Sequence, residues 1–442
     1  MRAIALALQI VLAITCCAQY VYADSLADYV RAQMRKRHIV AISLAVVEGG
    51  KVIRAQAFGY TDRDGRTAVS PDSLFQAGSI SKSVSALAAL HLVEQGKLSL
   101  DADVNTELKS WKLPDNEYTK EHRVTLRELL SHTAGITVHG FSGYSVNSPL
   151  PTLTQVLDGV MPANTPPIRV EAVPGSRWNY SGGGYTIVQQ MVVDATGQPY
   201  AKFLQDTVLR PLGMTNSSFD QPLPASEAAM AVTGYYPDGQ AVAGRFHVYP
   251  EMAAAGLWTT ATDLARYAIG VQRAIAGEST GVISKETAAR MITEVKAGDG
   301  LGVFLEGSGD ELRFTHSGRN EGFDAVFVAY AHGGRGAAVM LSANENSGMA
   351  DRILQVIAKQ YGWPGYPTLA VSTHHAAPLA AAALKPAAGY YDFPQNQTST
   401  FTVQNGAIQA AVDGALLDEF KPESDRVFFS DDLNATLTLD RA

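Results

Sequence analysis

Residues 75–82 read FQAGSISK, and this stretch decides how the rest of the chain is interpreted. The sequence predicts a helix that begins at Ser79, runs to about Gln95 and stops at Gly96. Ser79 and Lys82 are three positions apart, so their side chains would share one face of the first turn. In that turn the free backbone N–H groups and the positive end of the helix dipole surround the serine.

This pairing suits a nucleophilic serine, because a serine hydroxyl needs an adjacent base to attack a carbonyl. A lysine with its ordinary pKa of about 10.4 is protonated at pH 7. Burial and a nearby positive dipole can lower that pKa by about 3 units, which would leave an appreciable fraction of neutral amine. The alternative interpretation is a serine N-cap followed by an exposed lysine, and the S-x-x-K pattern alone is too common to decide.

The surrounding chain predicts an α+β fold. We expect an antiparallel sheet closed by strands from both ends of the chain and flanked by helices, with a mainly helical subdomain from about residues 100–290. The stretch 138–178, which carries Phe141 and Tyr144, reads as a lid or binding wall, or equally as a meandering surface loop. The predicted strands are Ala41–Glu48 and Lys51–Gly59, joined as a hairpin at Gly49-Gly50, and 312–316, 323–330 and 336–342, followed by a helix over 349–361.

Composition divides the chain into further segments. Residues 24–366 form the large domain, residues 367–386 read as an Ala/Pro linker, and residues 387–442 read as a small β domain. Turns are predicted within this β domain at Asn405-Gly406 and Asp413-Gly414.

Residues 1–23 read as a signal peptide. Arg2 precedes an apolar run over residues 3–18, and the expected cleavage site follows Ala23. The run is short for a membrane span of about 20 residues, although a retained anchor is the alternative and would bring membrane contact. The sequence therefore predicts a periplasmic or secreted protein. Both cysteines lie inside this segment, so the mature chain has neither disulfides nor thiol catalysis.

Several functional classes are disfavoured by composition and motifs. The net charge of −8 and the lack of a basic stripe argue against a nucleic-acid partner. No acidic or histidine cluster indicates a metal, and no cofactor is expected. A G-x-S-x-G pattern at residues 277–281 follows a helical stretch and reads as a polar loop rather than a nucleophile elbow. The adjacent His374 and His375 fall in the linker.

Two more segments decide the interpretation of Ser79. Residues 177–185 read RWNYSGGGY ahead of a helical run, and residues 314–319 read FTHSGR at the end of a β run. With Ser79 and Lys82 they resemble the S-x-x-K, Y-x-N and K/H-x-G elements of class C β-lactamases, penicillin-binding DD-peptidases and their esterase and D-aminopeptidase relatives. The resemblance covers about residues 25–362 and implies a β-lactamase/transpeptidase-like fold. Residues 129–136, 211–215 and 254–258 are similar to this family too.

The resemblance implies a role for each matching residue. Ser79 is acylated, and Lys82 and Tyr180 share proton transfer from Ser79 and to the leaving group. The backbone N–H groups of Ser79 and Arg319 form the oxyanion hole. Without the resemblance, Tyr180 would read as an aromatic residue at a helix entry.

The third element contributes three further residues, and the second departs from the family pattern. His316 would face the cavity, Ser317 would bind substrate or relay a proton, and Gly318 would let the substrate backbone approach closely. His316 replaces the family's lysine, and Gly182 replaces the Asn that would hold the lysine and the substrate. Residues His132 and Glu251 lie in family-like segments and are expected to serve structure.

These observations favour a serine hydrolase of small esters or D-amino-acid amides and peptides, with a small-molecule or peptide substrate as its partner. A cell-wall DD-peptidase or weak class C-like β-lactamase, and a non-catalytic ligand-binding scaffold, are the alternatives. Because Lys82 and Tyr180 would have to lose a proton, activity is expected to rise from pH 6 toward 9.

Overall fold

The computed structural model describes residues 25–344, 346–367, 374–393, 397–412, 415–430 and 435–439. The predicted signal peptide and the predicted turn at Asp413-Gly414 lie outside these residues. The strands are β1 Ala41–Glu48, β2 Lys51–Gly59, β3 Phe75–Gln76, β4 Tyr144–Ser145, β5 His247–Val248, β6 Trp258–Thr259, β7 Phe304–Glu306, β8 Arg313–Asn320, β9 Phe323–Tyr330, β10 Gly336–Leu341, β11 Gly389–Phe393, β12 Gln397–Gln404, β13 Ala407–Val412, β14 Ala415–Pro422, β15 Val427–Ser430 and β16 Ala435–Thr438.

The helices are α1 over residues 25–37 and then α2 Ile80–Glu94, α3 Val104–Glu107, α4 Leu126–Leu130, α5 Leu153–Asp158, α6 Gly182–Thr196, α7 Tyr200–Leu204, α8 Ala225–Ala228, α9 Met252–Ala255, α10 Ala261–Ile275, α11 Lys285–Met291, α12 Ser347–Tyr361 and α13 Ala381–Leu384. Within the described ranges, no helix is both long enough and apolar enough to span a bilayer.

The main sheet has six antiparallel strands in the order β2-β1-β10-β9-β8-β7. Strands from the two ends of the chain meet at its centre, where Ile42 of β1 pairs with Leu341 of β10. Strand β9 is buried at every position, which is why it reads as an apolar run, interrupted only by Asp324, rather than as an alternating one. The prediction of an antiparallel sheet that combines strands from both ends of the chain is confirmed. The predicted mainly helical segment is confirmed too, and it lies between β2 and β7.

One strand boundary differs from the prediction in a way that matters for the site. The sequence predicts that the strand ends at His316, whereas β8 continues to Asn320. Strand β8 is longer because its pairing with β9 continues to Asn320, which lies opposite Phe323. The glycine at position 318 does not end the strand, because a partner strand supplies the ladder on that side.

The described residues divide into two compact units, one over residues 40–350 and the other made of residues 25–39 and the described residues from 351 onward. The expected domain over residues 24–366 stays a prediction. In the second unit, Lys36 Nζ of α1 donates a hydrogen bond to Oδ1 of buried Asp418 over 2.8 Å. This interaction joins the start of the chain to β14.

The C-terminal sheet is a meander in the order β11-β12-β13-β14-β15-β16. Its apolar core includes Leu384 and Ala387, which precede the first strand. The Ala377 N–H also donates to the Pro422 carbonyl at 2.8 Å. Part of the expected Ala/Pro linker therefore contacts the sheet, because Leu379 and Leu384 pack against its apolar core.

Candidate active site

The nucleophile turn is held against strand β8 by two glycines. A Cβ on Gly318 would lie 1.9 Å from the Ala77 carbonyl oxygen, and a Cβ on Gly78 would lie 2.4 Å from the Arg319 nitrogen. Gly78 also has φ +52°, a conformation that favours glycine. Gly318 therefore lets the strand approach the turn that carries Ser79, which brings the backbone of Arg319 close to that turn. Its expected role toward the substrate backbone stays a prediction.

Ser79 and Lys82 meet at the start of α2. Ser79 occupies the N-cap position but its side chain does not cap the helix. Its Oγ instead accepts a hydrogen bond from Lys82 Nζ at 2.9 Å. Lys82 Nζ also donates to the Ala254 carbonyl of α9 at 2.9 Å. Lys82 is 2% exposed, which rules out the alternative of an exposed lysine beside a serine cap.

Burial changes the proton affinity of this lysine. Desolvation lowers the pKa of Lys82 to about 7, because a buried ammonium loses the hydration that stabilises its charge. At neutral pH a large fraction of the amine is therefore unprotonated and can accept the Ser79 proton.

Tyr180 lies close to the nucleophile, at the residue before the N-cap of α6. Ser181 caps this helix through a hydrogen bond that its Oγ accepts from the Gly184 N–H at 3.0 Å. Burial raises the pKa of Tyr180 above its ordinary value, and the nearby Ser79 hydroxyl partly offsets that rise. Lys82 Nζ lies 5.0 Å from the centre of its ring. Tyr180 therefore remains a phenol across the neutral range and can relay a proton.

His316 is buried in β8 and neutral. Its Nδ1 donates to the Ser317 carbonyl at 2.5 Å. Burial lowers the pKa of His316 to about 3, with the Lys82 charge as the second cause. Its ring centre lies 4.9 Å from that of Phe304 and 6.3 Å from that of Tyr180. Ser317, by contrast, is exposed on the opposite side of the strand.

Gly182 is not among the residues that line the cavity containing Ser79, and a substrate contact at this position stays a prediction. A Cβ on Gly182 would lie 2.9 Å from the Phe141 ring. Phe141 does line the cavity, so the stretch 138–178 supplies a binding wall at this point. The aromatic ring occupies the space beside position 182 that a longer side chain would need.

Sequence reasoning did not identify the histidine that positions Tyr180. His132 Nδ1 accepts the Ser181 N–H at 3.1 Å, and its ring centre lies 4.2 Å from that of Tyr180. Burial, followed by the Lys82 charge, lowers the pKa of His132 well below its ordinary value. The sequence signal for His132 is its position in the family-like segment 129–136, and from that position only a structural role is expected.

Trp178, two residues before Tyr180, is fixed by a hydrogen bond of its indole N–H. Its Nε1 donates to Oδ2 of Asp299 at 3.0 Å. Asp299 is buried, and desolvation raises its pKa to about 7. No motif in the sequence points to this contact, since 121 residues separate its partners.

The site opens into a cavity of about 410 Å³ that reaches from the nucleophile to the end of β8. It is lined by residues Ser79, Lys82, Gly140, Phe141, Ser142, Ala254, Ala255, Arg319, Asn320, Glu321 and Asn344. The volume suits a small substrate.

The rival serine motif lies outside this site. Residues 277–281 form turns after α10, and Glu278 pairs there with Arg273 at 2.8 Å. The prediction of a polar loop is confirmed. His374 pairs with Glu423 at 2.7 Å and stacks on Phe429, within the C-terminal unit.

Comparisons with known proteins show the family and the fold of the chain. The family model described as Beta-lactamase matches residues 26–361. The Protein flp of Staphylococcus aureus strain MRSA252 is 30% identical over 188 residues, which are 42% of this chain and 36% of that protein. The chain thus matches little more than a third of the length of this curated relative.

Solved structures share the fold. The octameric penicillin-binding protein homologue from Pyrococcus abyssi superposes with a TM-score of 0.65 and 22% identity, covering 93% of this chain and 97% of that one. The D-amino acid amidase from Ochrobactrum anthropi SV3 gives a TM-score of 0.62 and 20% identity, covering 76% and 99%.

Proposed function

The chain belongs to the beta-lactamase family, whose members include serine hydrolases, and we propose that it hydrolyses small esters or D-amino-acid amides and peptides through an acyl-enzyme on Ser79. The observation that carries this proposal is the hydrogen bond between Ser79 Oγ and the buried Lys82 amine, with the Tyr180 phenol close to the same serine.

Acylation uses these groups in sequence. Ser79 Oγ bonds to the substrate carbonyl carbon while its proton passes to neutral Lys82 Nζ. The carbonyl oxygen becomes an oxyanion that the Ser79 and Arg319 backbone N–H groups stabilise, and each such donor contributes about 2.7–4 kcal/mol in other hydrolases. The bond to the leaving nitrogen or oxygen then breaks. That atom takes a proton from Tyr180, which recovers one from Lys82.

Deacylation reverses the order with water in place of the leaving group. The water oxygen bonds to the acyl carbon, its proton passes to Lys82, and the bond to Ser79 Oγ breaks as Oγ regains a proton. The acid leaves, and the enzyme returns to its starting protonation state. No further reactant is needed.

Two departures from the family pattern argue against efficient turnover of β-lactams. A neutral His316 provides no fixed positive charge for a β-lactam carboxylate, because burial holds its pKa near 3. Gly182 lacks an amide side chain, and Phe141 fills the adjoining space. The nucleophile, base and oxyanion donors do not depend on either position. The D-amino acid amidase named above provides a precedent for amide hydrolysis on this fold.

Turnover of p-nitrophenyl acetate and butyrate by the chain from Asp24, beside Ser79→Ala, tests the proposal. We expect wild-type turnover and background rates in the variant. Equal activity of the two proteins would exclude Ser79 as the nucleophile. Stable labelling by penicillin with little ester or D-amino-acid amide turnover would instead favour the cell-wall DD-peptidase alternative.

A further inference from the structure

Two buried hydrogen-bond acceptors without donors lie in one wall of the cavity. Asn320 and Asn344 line it and are only 3% and 8% exposed. The side-chain oxygen of each is buried and accepts no hydrogen bond from the residues that the structure describes. Leaving such an oxygen unpaired costs about 1–3 kcal/mol. Two of them in the wall beside the nucleophile indicate that a ligand supplies the donors.

The orientation of the Asn320 amide is fixed by its neighbours. Its Nδ2 donates to the Ala255 carbonyl at 3.0 Å and to Gln76 Oε1 at 3.1 Å. Gln76 Nε2 in turn donates to the His247 carbonyl at 2.7 Å. Because backbone carbonyls only accept hydrogen bonds, neither amide can be turned around. Oδ1 is therefore the atom of Asn320 left without a partner, and it requires a donor.

The same wall carries negative charge. Glu321 lines the cavity, and no ion pair joins it to another residue among those described. The neighbouring Arg319 is paired, since its Nε donates to Oδ1 of buried Asp324 at 3.0 Å. A carboxylate and two amide oxygens on residues that line one cavity are a set of acceptors suited to a primary ammonium group, which carries three N–H donors.

This wall lies within reach of the reacting carbonyl. Asn320 and Glu321 follow Arg319, whose N–H is one of the oxyanion donors, and successive residues of a strand are about 3.3 Å apart. A substituent on the carbon next to the carbonyl therefore comes within a few ångströms of these acceptors.

We propose that Asn320, Glu321 and Asn344 form a subsite for a protonated amine, so that the acyl group transferred to Ser79 carries a free amino group next to its carbonyl. This inference rests on the proposed function and narrows its substrates to aminoacyl amides, aminoacyl esters and peptides with a free amino terminus. A carboxylate-bearing acyl group held by Arg319 is the competing occupant.

A pair of boronic acids of the same shape tests the subsite. 1-Aminoethylboronic acid and isopropylboronic acid differ only by an ammonium in place of a methyl group. In both, Ser79 Oγ bonds to boron, which becomes a tetrahedral anion, and Lys82 takes the serine proton. We expect calorimetry to give the amine at least about tenfold tighter binding, the value of one charged hydrogen bond of about 1.5 kcal/mol.

Variants test whether the residues of this wall cause the tighter binding of the amine. In Glu321→Gln we expect the ratio of the two affinities to fall by about five- to tenfold. Asp310→Asn, which removes an exposed carboxylate away from the cavity, should keep the wild-type ratio. Equal binding of the two acids by the wild type, or an unchanged ratio in Glu321→Gln, would overturn the proposal. If 2-carboxyethylboronic acid bound more tightly than both of the other boronic acids, the wall would be a binding site for a carboxylate instead.

A non-covalent measurement separates this inference from the proposed function. If neither boronic acid binds the wild type better than it binds Ser79→Ala, acyl chemistry on Ser79 is refuted. D-Alaninamide and isobutyramide, again a matched ammonium and methyl pair, are then compared on Ser79→Ala. A preference for D-alaninamide that Glu321→Gln weakens supports the amine subsite even then, and no preference refutes it.

Discussion

At the scale of single residues, the chemistry depends on one buried lysine. The spacing of Ser79 and Lys82 and the need for a base predicted this pair from the sequence. Its environment could not be predicted, because burial of Lys82 and the bond to the Ala254 carbonyl come from an element 172 residues away. The contact of His132 with Tyr180 could not be predicted for the same reason, because it joins two separate segments of the sequence.

The lysine sets the expected pH dependence. Only the neutral amine can accept the Ser79 proton, so protonation below a pKa of about 7 removes activity. We expect kcat/KM for p-nitrophenyl acetate to rise tenfold per pH unit below pH 6, pass its midpoint near pH 7 and level off by pH 8.5. Tyr180 adds no further rise there, because burial raises the pKa of its phenol. A profile flat from pH 5.5 to 8.5, after subtraction of the Ser79→Ala background, would contradict this assignment of the base.

At the scale of elements, the site is assembled where α2, α6, α9 and β8 come together. The hairpin of β1 and β2 and the strands β9 and β10 could be predicted, because each is a short run rich in apolar and β-branched residues and bounded by turn residues. The end of β8 could not, since its last residues are ordered by pairing with β9. Nor does the sequence reveal that Gly78 and Gly318 face each other across the contact between the turn and the strand.

That contact gives a prediction for Gly318→Ala. The new Cβ would lie 1.9 Å from the Ala77 oxygen, so β8 must move away from the turn and carry the Arg319 N–H with it. A displacement of about 1 Å in a catalytic group costs about 100-fold in rate, and we expect a loss of that order in kcat.

Gly348→Ala is the matched control, because a Cβ there meets nothing within 4 Å. It should keep wild-type kcat and fold at least as stably, since alanine suits a helix better than glycine. Wild-type kcat in Gly318→Ala would disprove the steric account of this glycine.

At the scale of the whole molecule, the second unit is organised around a buried carboxylate. Asp418 accepts hydrogen bonds from Lys36 Nζ and Ser430 Oγ, and Arg37 lies 3.7 Å away. Burial alone would raise the pKa of Asp418, but these hydrogen bonds outweigh it and hold the pKa below its ordinary value. The pairing therefore stabilises the fold above the ordinary Asp pKa of about 3.9 and is lost as the pH falls below it. Composition predicted a β domain here but not its link to α1.

Asp418→Asn tests this organisation. Removing the charge leaves Lys36 and Arg37 without their buried partner, and we expect a loss of about 3 kcal/mol in the free energy of unfolding at pH 7 by urea titration. Glu278→Gln breaks an ion pair whose side chains are 51% and 58% exposed, and it should leave stability nearly unchanged. Similar stabilities for both variants would show that Asp418 does not anchor this unit.

The most direct test of the central claim is to locate the nucleophile by covalent capture. The chain is treated with a fluorophosphonate, which phosphonylates activated serines with loss of fluoride, and the modified peptide is identified by mass spectrometry. The account predicts one adduct on Ser79, formed faster as the pH rises through 7 and absent from Ser79→Ala and from Lys82→Met. An adduct on Ser279 or on another serine, or labelling of Ser79→Ala at the wild-type rate, would contradict it.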